Sequence, residues 1–246
     1  MVCNNIVYKK ESSMVQSVSV KNSKKEFMTR VMSSLIFIPI IALFIFASYS
    51  SSLILCCIVY MMMLYEIVAV RTQFPEHKKL YILGAAVCLL GVISFAYCRK
   101  HFGIIGCGFL ICTTCFTDIG AYLFGKTFGG PKLCPKISPN KTWAGFWGGI
   151  FLSNFSFYCF YRAFLKSGSF FSFFSEHDLN IFVFVQIIIL AAVIGDLAES
   201  YFKRKVGVKD MGSIIPGHGG ILDRLDSLLF TSIVLAATGI LLEASW

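Results

Sequence analysis

Charge is what this chain has least of. Only 14% of its 246 residues are Asp, Glu, Lys or Arg, where a soluble domain carries about 25%. Acids are the scarcer sign, 13 against 22 Lys and Arg, which leaves a formal net charge of +9. Proline is sparse at six residues, and no low-complexity linker or fixed-period repeat is visible. These shortages argue against a soluble globular domain, a disordered chain and a repeat array. What fills the sequence is apolar: 57% hydrophobic and 15% aromatic, with 25 Phe and a mean hydropathy of +0.75. That is the composition of an integral membrane protein.

Other absences narrow the chemistry. The GxxxxGK[ST] nucleotide loop does not occur, so phosphates are not gripped in the P-loop manner. Of the ten cysteines, Cys56, Cys57, Cys88, Cys107, Cys112, Cys115 and Cys159 lie inside apolar runs, where cysteine acts as a small hydrophobe. Cys112 and Cys115 form a single CxxC with no second pair or nearby histidine, which is not a zinc site. The basic excess sits in short loops between apolar runs. This is the pattern of membrane orientation and anionic-lipid contact, not of a nucleic-acid groove.

A helix needs roughly 20 mostly apolar residues to cross a bilayer. Seven stretches qualify: 31–49, 52–70, 80–97, 102–124, 144–164, 180–198 and 224–242. Barrel-like alternation is missing, so an all-α polytopic bundle of about seven spans, or eight, is predicted. Residues 1–28 are polar and lysine-rich, read as a cytosolic tail and not a cleaved signal peptide. Residues 29–246 are expected to form a single integral-membrane domain, with 167–178 as an external loop.

Orientation follows from Lys and Arg. With a cytosolic N-terminus, seventeen of them fall inside: six before the first span, three in 71–79, four in 125–142 and four in 199–222. Only Arg99, Lys100, Arg162 and Lys166 fall outside. The N-terminus is therefore expected in the cytosol, with loops 125–142 and 199–222 sharing that face.

Those loops carry the chemistry. Residues 195–227 read GDLAESYFKRKVGVKDMGSIIPGHGGILDRLDS, a charged island in an apolar chain. Charge beside a hydrophobic barrier is costly and marks a functional site by default. Asp223 and Asp226 open the last span at i and i+3, and Asp196 and Glu199 repeat that spacing at the end of the preceding one. Such pairs lie on one helix face and suit a hard divalent cation; helix capping is the plainer alternative. Asp118 lies deeper in its segment, as a candidate site acid or a polar residue hydrogen-bonded between helices. Lys203, Arg204 and Lys209 suit a triphosphate or a lipid headgroup, and Gly219 and Gly220 allow close backbone approach, with His218 as a donor. In the other loop Ser138, Asn140, Lys141 and Thr142 lead into a span, where a helix N-terminus with a lysine makes an anion site. Together these residues point to a membrane enzyme that handles phosphates with a metal.

The same residues resemble the phosphatidate cytidylyltransferase family, also called CDP-diacylglycerol synthases. The resemblance runs through Ser200-Tyr201-Phe202-Lys203-Arg204, Lys209-Asp210, Pro216-Gly217-His218-Gly219-Gly220, then Asp223-Arg224 and Asp226. Upstream, DIGAYLFGKTFGG and SPNKTWAGFWGG extend it, so that it covers about 115–230. It implies transfer of the cytidylyl group of CTP to phosphatidic acid, giving CDP-diacylglycerol and pyrophosphate in phospholipid biosynthesis. It implies Mg²⁺, and room for a second cation, held by Asp196, Asp223 and Asp226. Lys141 with these three acids would be catalytic. Ser138, Asn140, Thr142, Lys203, Arg204, Lys209, Asp210, His218, Gly219, Gly220 and Arg224 would bind substrate. It further implies a homodimer. Chain length and the lack of a transit peptide point to a bacterial inner membrane, with the site facing the cytoplasm. A CTP-dependent lipid kinase and a transporter are the competing readings; the acids gather at one face and no repeat is visible, which disfavours the transporter.

Overall fold

The computed structural model describes residues 48–164, 170, 180–212, 214–215 and 219–244. The tail 1–28, nearly all of the expected span 31–49, the external loop but for Phe170, and His218 lie outside the described residues. Six long helices make up the rest: α1 Tyr49–Gln73, α2 Lys78–His101, α3 Gly103–Thr127, α4 Trp143–Phe164, α5 Ile181–Val206 and α6 Leu222–Ala244. A 3₁₀ turn, Pro75–His77, joins α1 to α2, and two short strands, β1 Lys132–Cys134 and β2 Ser138–Thr142, precede α4.

Local chemistry sets the ends. Ser48 and Ser51 form a reciprocal capping box that starts α1, and Asn180 Oδ1 accepts the amides of Phe182 and Val183 to start α5. Pro75 ends α1, because the residue before proline is pushed out of the helical region. Gly207, at φ +88°, ends α5 in the left-handed conformation that glycine adopts without strain.

Among the described residues five helical segments are long and apolar enough to cross a membrane: α1, Pro75–His101, α3, α5 and α6. Each of these coincides with an expected span. Residues 144–164 are helical as expected, but α4 falls short in hydropathy. Its Gly145, Gly148, Gly149, Ser153 and Ser156 are buried against neighbours, so small and polar residues dilute its apolar content. Outward-facing side chains such as Ile54, Met61, Leu83, Trp147, Phe151 and Leu241 are exposed and apolar, as a lipid-facing surface requires. Met63, Cys98, Cys107, Leu110, Val185, Ile188 and Leu235 fill the interior.

Two sequence expectations are corrected. In an otherwise all-α bundle the 125–142 segment is not irregular loop throughout, since 132–142 folds into an antiparallel hairpin with Lys132 opposite Thr142 and Cys134 opposite Ser138. Pro131, Pro135 and Pro139 deny this stretch helical amides, and the amide of Ile137 closes the turn on the Cys134 carbonyl. The basic run Lys203-Arg204-Lys205 is not loop either. α5 continues to Val206, helped by the Glu199–Lys203 pair at i, i+4.

The hairpin is held by an unusually close helix pair. A Cβ on Gly120 of α3 would sit 2.5 Å from the Gly148 carbonyl oxygen, and one on Gly145 would sit 2.6 Å from that of Ala121. The helices thus meet backbone to backbone, the geometry small residues permit inside membranes. A Thr117–Ser153 hydroxyl contact of 2.7 Å completes the seam. Gly120→Leu should lower the melting midpoint of the detergent-extracted protein, at a cost of about 1–3 kcal/mol or more from overpacking. Gly108→Ala, whose Cβ would lie 3.6 Å from the Phe160 ring, should leave the midpoint near wild type.

Candidate active site

The site forms where α5 and α6 touch. A Cβ on Gly195 would lie 2.9 Å from the Asp226 carbonyl oxygen. Because the backbones are in contact there, the neighbouring carboxylates are forced together. Asp196, Glu199 and Asp226 each offer an oxygen, and the three atoms lie within 4.8 Å of one another. Glu199 is 8% exposed, and its Oε1 has no hydrogen-bond partner. Three hard oxygen donors, one of them orphaned and buried, could hold a divalent cation.

Two lysines offset this negative charge. Lys203 Nζ lies 2.7 Å from Glu199 Oε2 and 2.8 Å from Asp223 Oδ1. Lys141 Nζ, brought by β2 of the hairpin, lies 2.6 Å from Asp196 Oδ2. Asp223 Oδ2 accepts the amides of Met211 and Gly220 at 3.0 and 2.9 Å. Asp223 therefore ties the 207–221 loop to α6 with one oxygen and Lys203 with the other.

Above the acids opens a cavity of about 380 Å³, lined among others by Asp118, Asn140, Lys141, Thr142, Asp196, Asp223, Arg224 and Asp226. The cavity thus joins residues of the 125–142 loop to the helix ends that flank the 199–222 loop, whose own described residues do not line it. Asn140, Lys141, Thr142, Asp196, Asp223, Arg224 and Asp226 are brought together as expected. Thr142 Oγ1 also accepts the Gly145 amide at 3.1 Å and so caps α4. Lys203 is 14% exposed and held between two carboxylates, an internal counter-ion more than a free phosphate ligand. Arg204 reaches back to the hairpin, its Nε donating to the Ile137 carbonyl at 3.4 Å. Ser138 stands at the far end of β2, while Lys209 and Asp210 are exposed on the loop; none of the three lines the cavity. Gly219, at φ +87°, bridges Ile215, and a Cβ on Gly220 would lie 2.7 Å from a Glu66 carboxylate oxygen.

Sequence reasoning missed Glu66 altogether and left Glu199 out of the ligand set. Glu66 stands alone inside an apolar run, which was the available signal. Glu199 showed its i, i+3 spacing to Asp196, but the depth of its burial appears only in three dimensions.

Comparison with known proteins bears on what such a site does. A family model described as the cytidylyltransferase family matches residues 80–241, which include every lining residue of this cavity. The chain belongs to the cytidylyltransferase family. It is 40% identical over 172 residues to a phosphatidate cytidylyltransferase of Staphylococcus aureus (strain COL), covering 66% of this chain and 61% of that protein. A Rickettsia bellii (strain RML369-C) protein of the same name is 43% identical over 126 residues, half of this chain and 53% of its own length. One from Staphylococcus haemolyticus (strain JCSC1435) is 40% identical over 157 residues, or 60% and 56%. The matched part thus spans less than two thirds of these curated relatives.

The ion triad makes a direct prediction. Lys203→Met leaves Glu199 and Asp223 buried without their cation and should cost about 3–5 kcal/mol. In that background Asp223→Asn should cost less than in the wild type. Melting midpoints of the four proteins of this double-mutant cycle check the coupling.

Proposed function

We propose that the chain transfers the cytidylyl group of CTP to phosphatidic acid, releasing pyrophosphate and forming CDP-diacylglycerol. One observation carries this reading: three clustered carboxylates and a paired lysine at a polar cavity in a bundle of apolar helices. Membership of the cytidylyltransferase family and relatives named phosphatidate cytidylyltransferase supply the substrate classes.

In this reaction a phosphate oxygen of the lipid attacks the α-phosphorus of CTP. The bond from that phosphorus to the oxygen bridging to the β-phosphate breaks, and its electron pair leaves on pyrophosphate. A phosphate monoester has a second pKa of about 6, so the nucleophile is already anionic and no strong general base is required. The protein's task is to hold two polyanions together and to offset charge on the leaving group. Asp196, Glu199 and Asp226 would hold Mg²⁺, which neutralises and aligns phosphate oxygens when bound. This set replaces Asp223 of the sequence expectation with Glu199, because both oxygens of Asp223 are engaged in orienting Lys203 and the loop. A second cation would draw on Asp118, on the same cavity wall.

Lys141, Asn140 and Arg224 line the cavity and would contact CTP phosphates. Thr142 sets the start of α4, and Ser138 the register of β2. Gly219 and His218 would approach phosphate from the loop, whereas the Gly220 amide is committed to Asp223. Arg204, Lys209 and Asp210 would meet the lipid headgroup at the rim. The basic-residue distribution supports a cytosolic N-terminus and a cavity open to the cytoplasm, and the bacterial relatives support an inner-membrane location. A bundle of about seven spans and a homodimer complete the proposal.

Purified protein given phosphatidic acid and cytosine-labelled CTP should form a cytidine-labelled lipid. Transfer of the γ-phosphate alone would identify a kinase instead. Asp196→Asn, Glu199→Gln and Asp226→Asn should each lower turnover by roughly 100-fold or more, in line with the loss of one key electrostatic group. Near-normal, Mg²⁺-dependent turnover in the Glu199 and Asp226 variants would refute the cation assignment.

A further inference from the structure

Glu66 lies in α1, far along the chain from every motif above, yet it is 1% exposed and its carboxylate meets the start of α6. Its Oε1 accepts the Ile221 amide at 2.9 Å and its Oε2 the Leu222 amide at 3.0 Å. These amides open α6, where N–H groups lack intrahelical acceptors and the helix dipole is positive. No ion pair to Glu66 occurs among the described residues, so amides and helix end are what meet its charge. Its carboxylate is also packed by backbone. A Cβ on Gly212 would lie 2.6 Å from Oε1, and one on Gly220 would lie 2.7 Å from Oε2. The loop therefore closes around this carboxylate from two sides, and glycine at 212 and 220 is what lets it.

Two carboxylates hold the described residues at the ends of the 207–221 loop. Asp223 holds it from within α6, through the amides of Met211 and Gly220. Glu66 holds the next two amides from a different helix. Asp226 follows one turn later, so a shift of the α6 N-terminus moves Asp226 relative to Asp196 and Glu199.

We propose that Glu66 is a positioning residue, which fixes the 207–221 loop and the first turn of α6 and so sets cation and CTP affinity without touching either. This rests on the cytidylyl-transfer reading for its kinetic part. A merely structural buried acid would affect melting and the active fraction, not affinity. Glu66→Gln keeps one acceptor and presents an amide donor to the other backbone N–H. Gly212→Ala keeps the carboxylate and pushes it from the opposite side.

Both variants, in the full chain, should raise the KM for CTP and the half-saturating Mg²⁺ concentration roughly tenfold, the scale of one lost charge-assisted hydrogen bond. Hydrogen–deuterium exchange should quicken in peptides covering 208–222 and stay unchanged in α3 and α4. Mn²⁺ affinity by electron paramagnetic resonance should fall in parallel, a readout that needs no turnover. The proposal is overturned if both variants keep wild-type exchange in 208–222. It is equally overturned if they lose kcat or melting midpoint while CTP, Mg²⁺ and Mn²⁺ affinities hold. Absence of cytidine-labelled lipid from the wild type would refute the proposed reaction alone, since exchange and Mn²⁺ binding still report on Glu66.

Discussion

Everything around the cavity follows from placing carboxylates where water is scarce. Burying an ionised acid is costly unless opposite charge or several hydrogen bonds meet it. Glu199 and Asp223 share Lys203, Asp196 takes Lys141, and Glu66 takes the amides that begin a helix. Apart from the Glu199–Lys203 pair within α5, each crosses between elements: Lys203–Asp223 joins α5 to α6, Lys141–Asp196 the hairpin to α5, and Glu66 joins α1 to α6. The polar interactions of the site are therefore also the clamps that register the helices. A bundle joined by apolar contacts alone has many near-equivalent rotations; these few charged contacts select among them.

The hairpin depends on that constraint in a second way. Lys141 reaches Asp196 because β2 runs into α4, and α4 is pressed on α3 at Gly120, Gly145 and Gly149. The backbone contact leaves little freedom at the base of the strands. Arg204 adds a tie from the end of α5 to the Ile137 carbonyl. The site is thus assembled from two sides of the bundle by short polar links, each anchored on closely packed glycines.

Much of this was legible in the sequence. Apolar runs located each described long helix, because a bilayer imposes a length that composition alone reveals. The acidic pairs at i, i+3 and the lysine of the opposite loop marked residues that do converge. What could not be read was partnership. Lys203 looked like a phosphate ligand until its two carboxylates were in place. Asp223 reads as a metal ligand in the sequence, and its contacts with a lysine and two amides appear only in three dimensions. Glu66 had no neighbour in sequence to give it meaning, since its partners lie more than 150 positions away. The length of α5 was misjudged for a related reason: a basic run after an apolar one resembles a loop, whereas an i, i+4 ion pair lets the helix continue.

The cavity wall has one further property. Its charged lining comprises Asp118, Asp196, Asp223 and Asp226 against Lys141 and Arg224, a formal excess of two negative charges; the buried Glu199 and Lys203 beside it cancel and leave that excess unchanged. Two is the charge of a single divalent ion. On the proposed reading, a wall so charged would favour a nucleotide that arrives together with its divalent counter-ion over the bare polyanion.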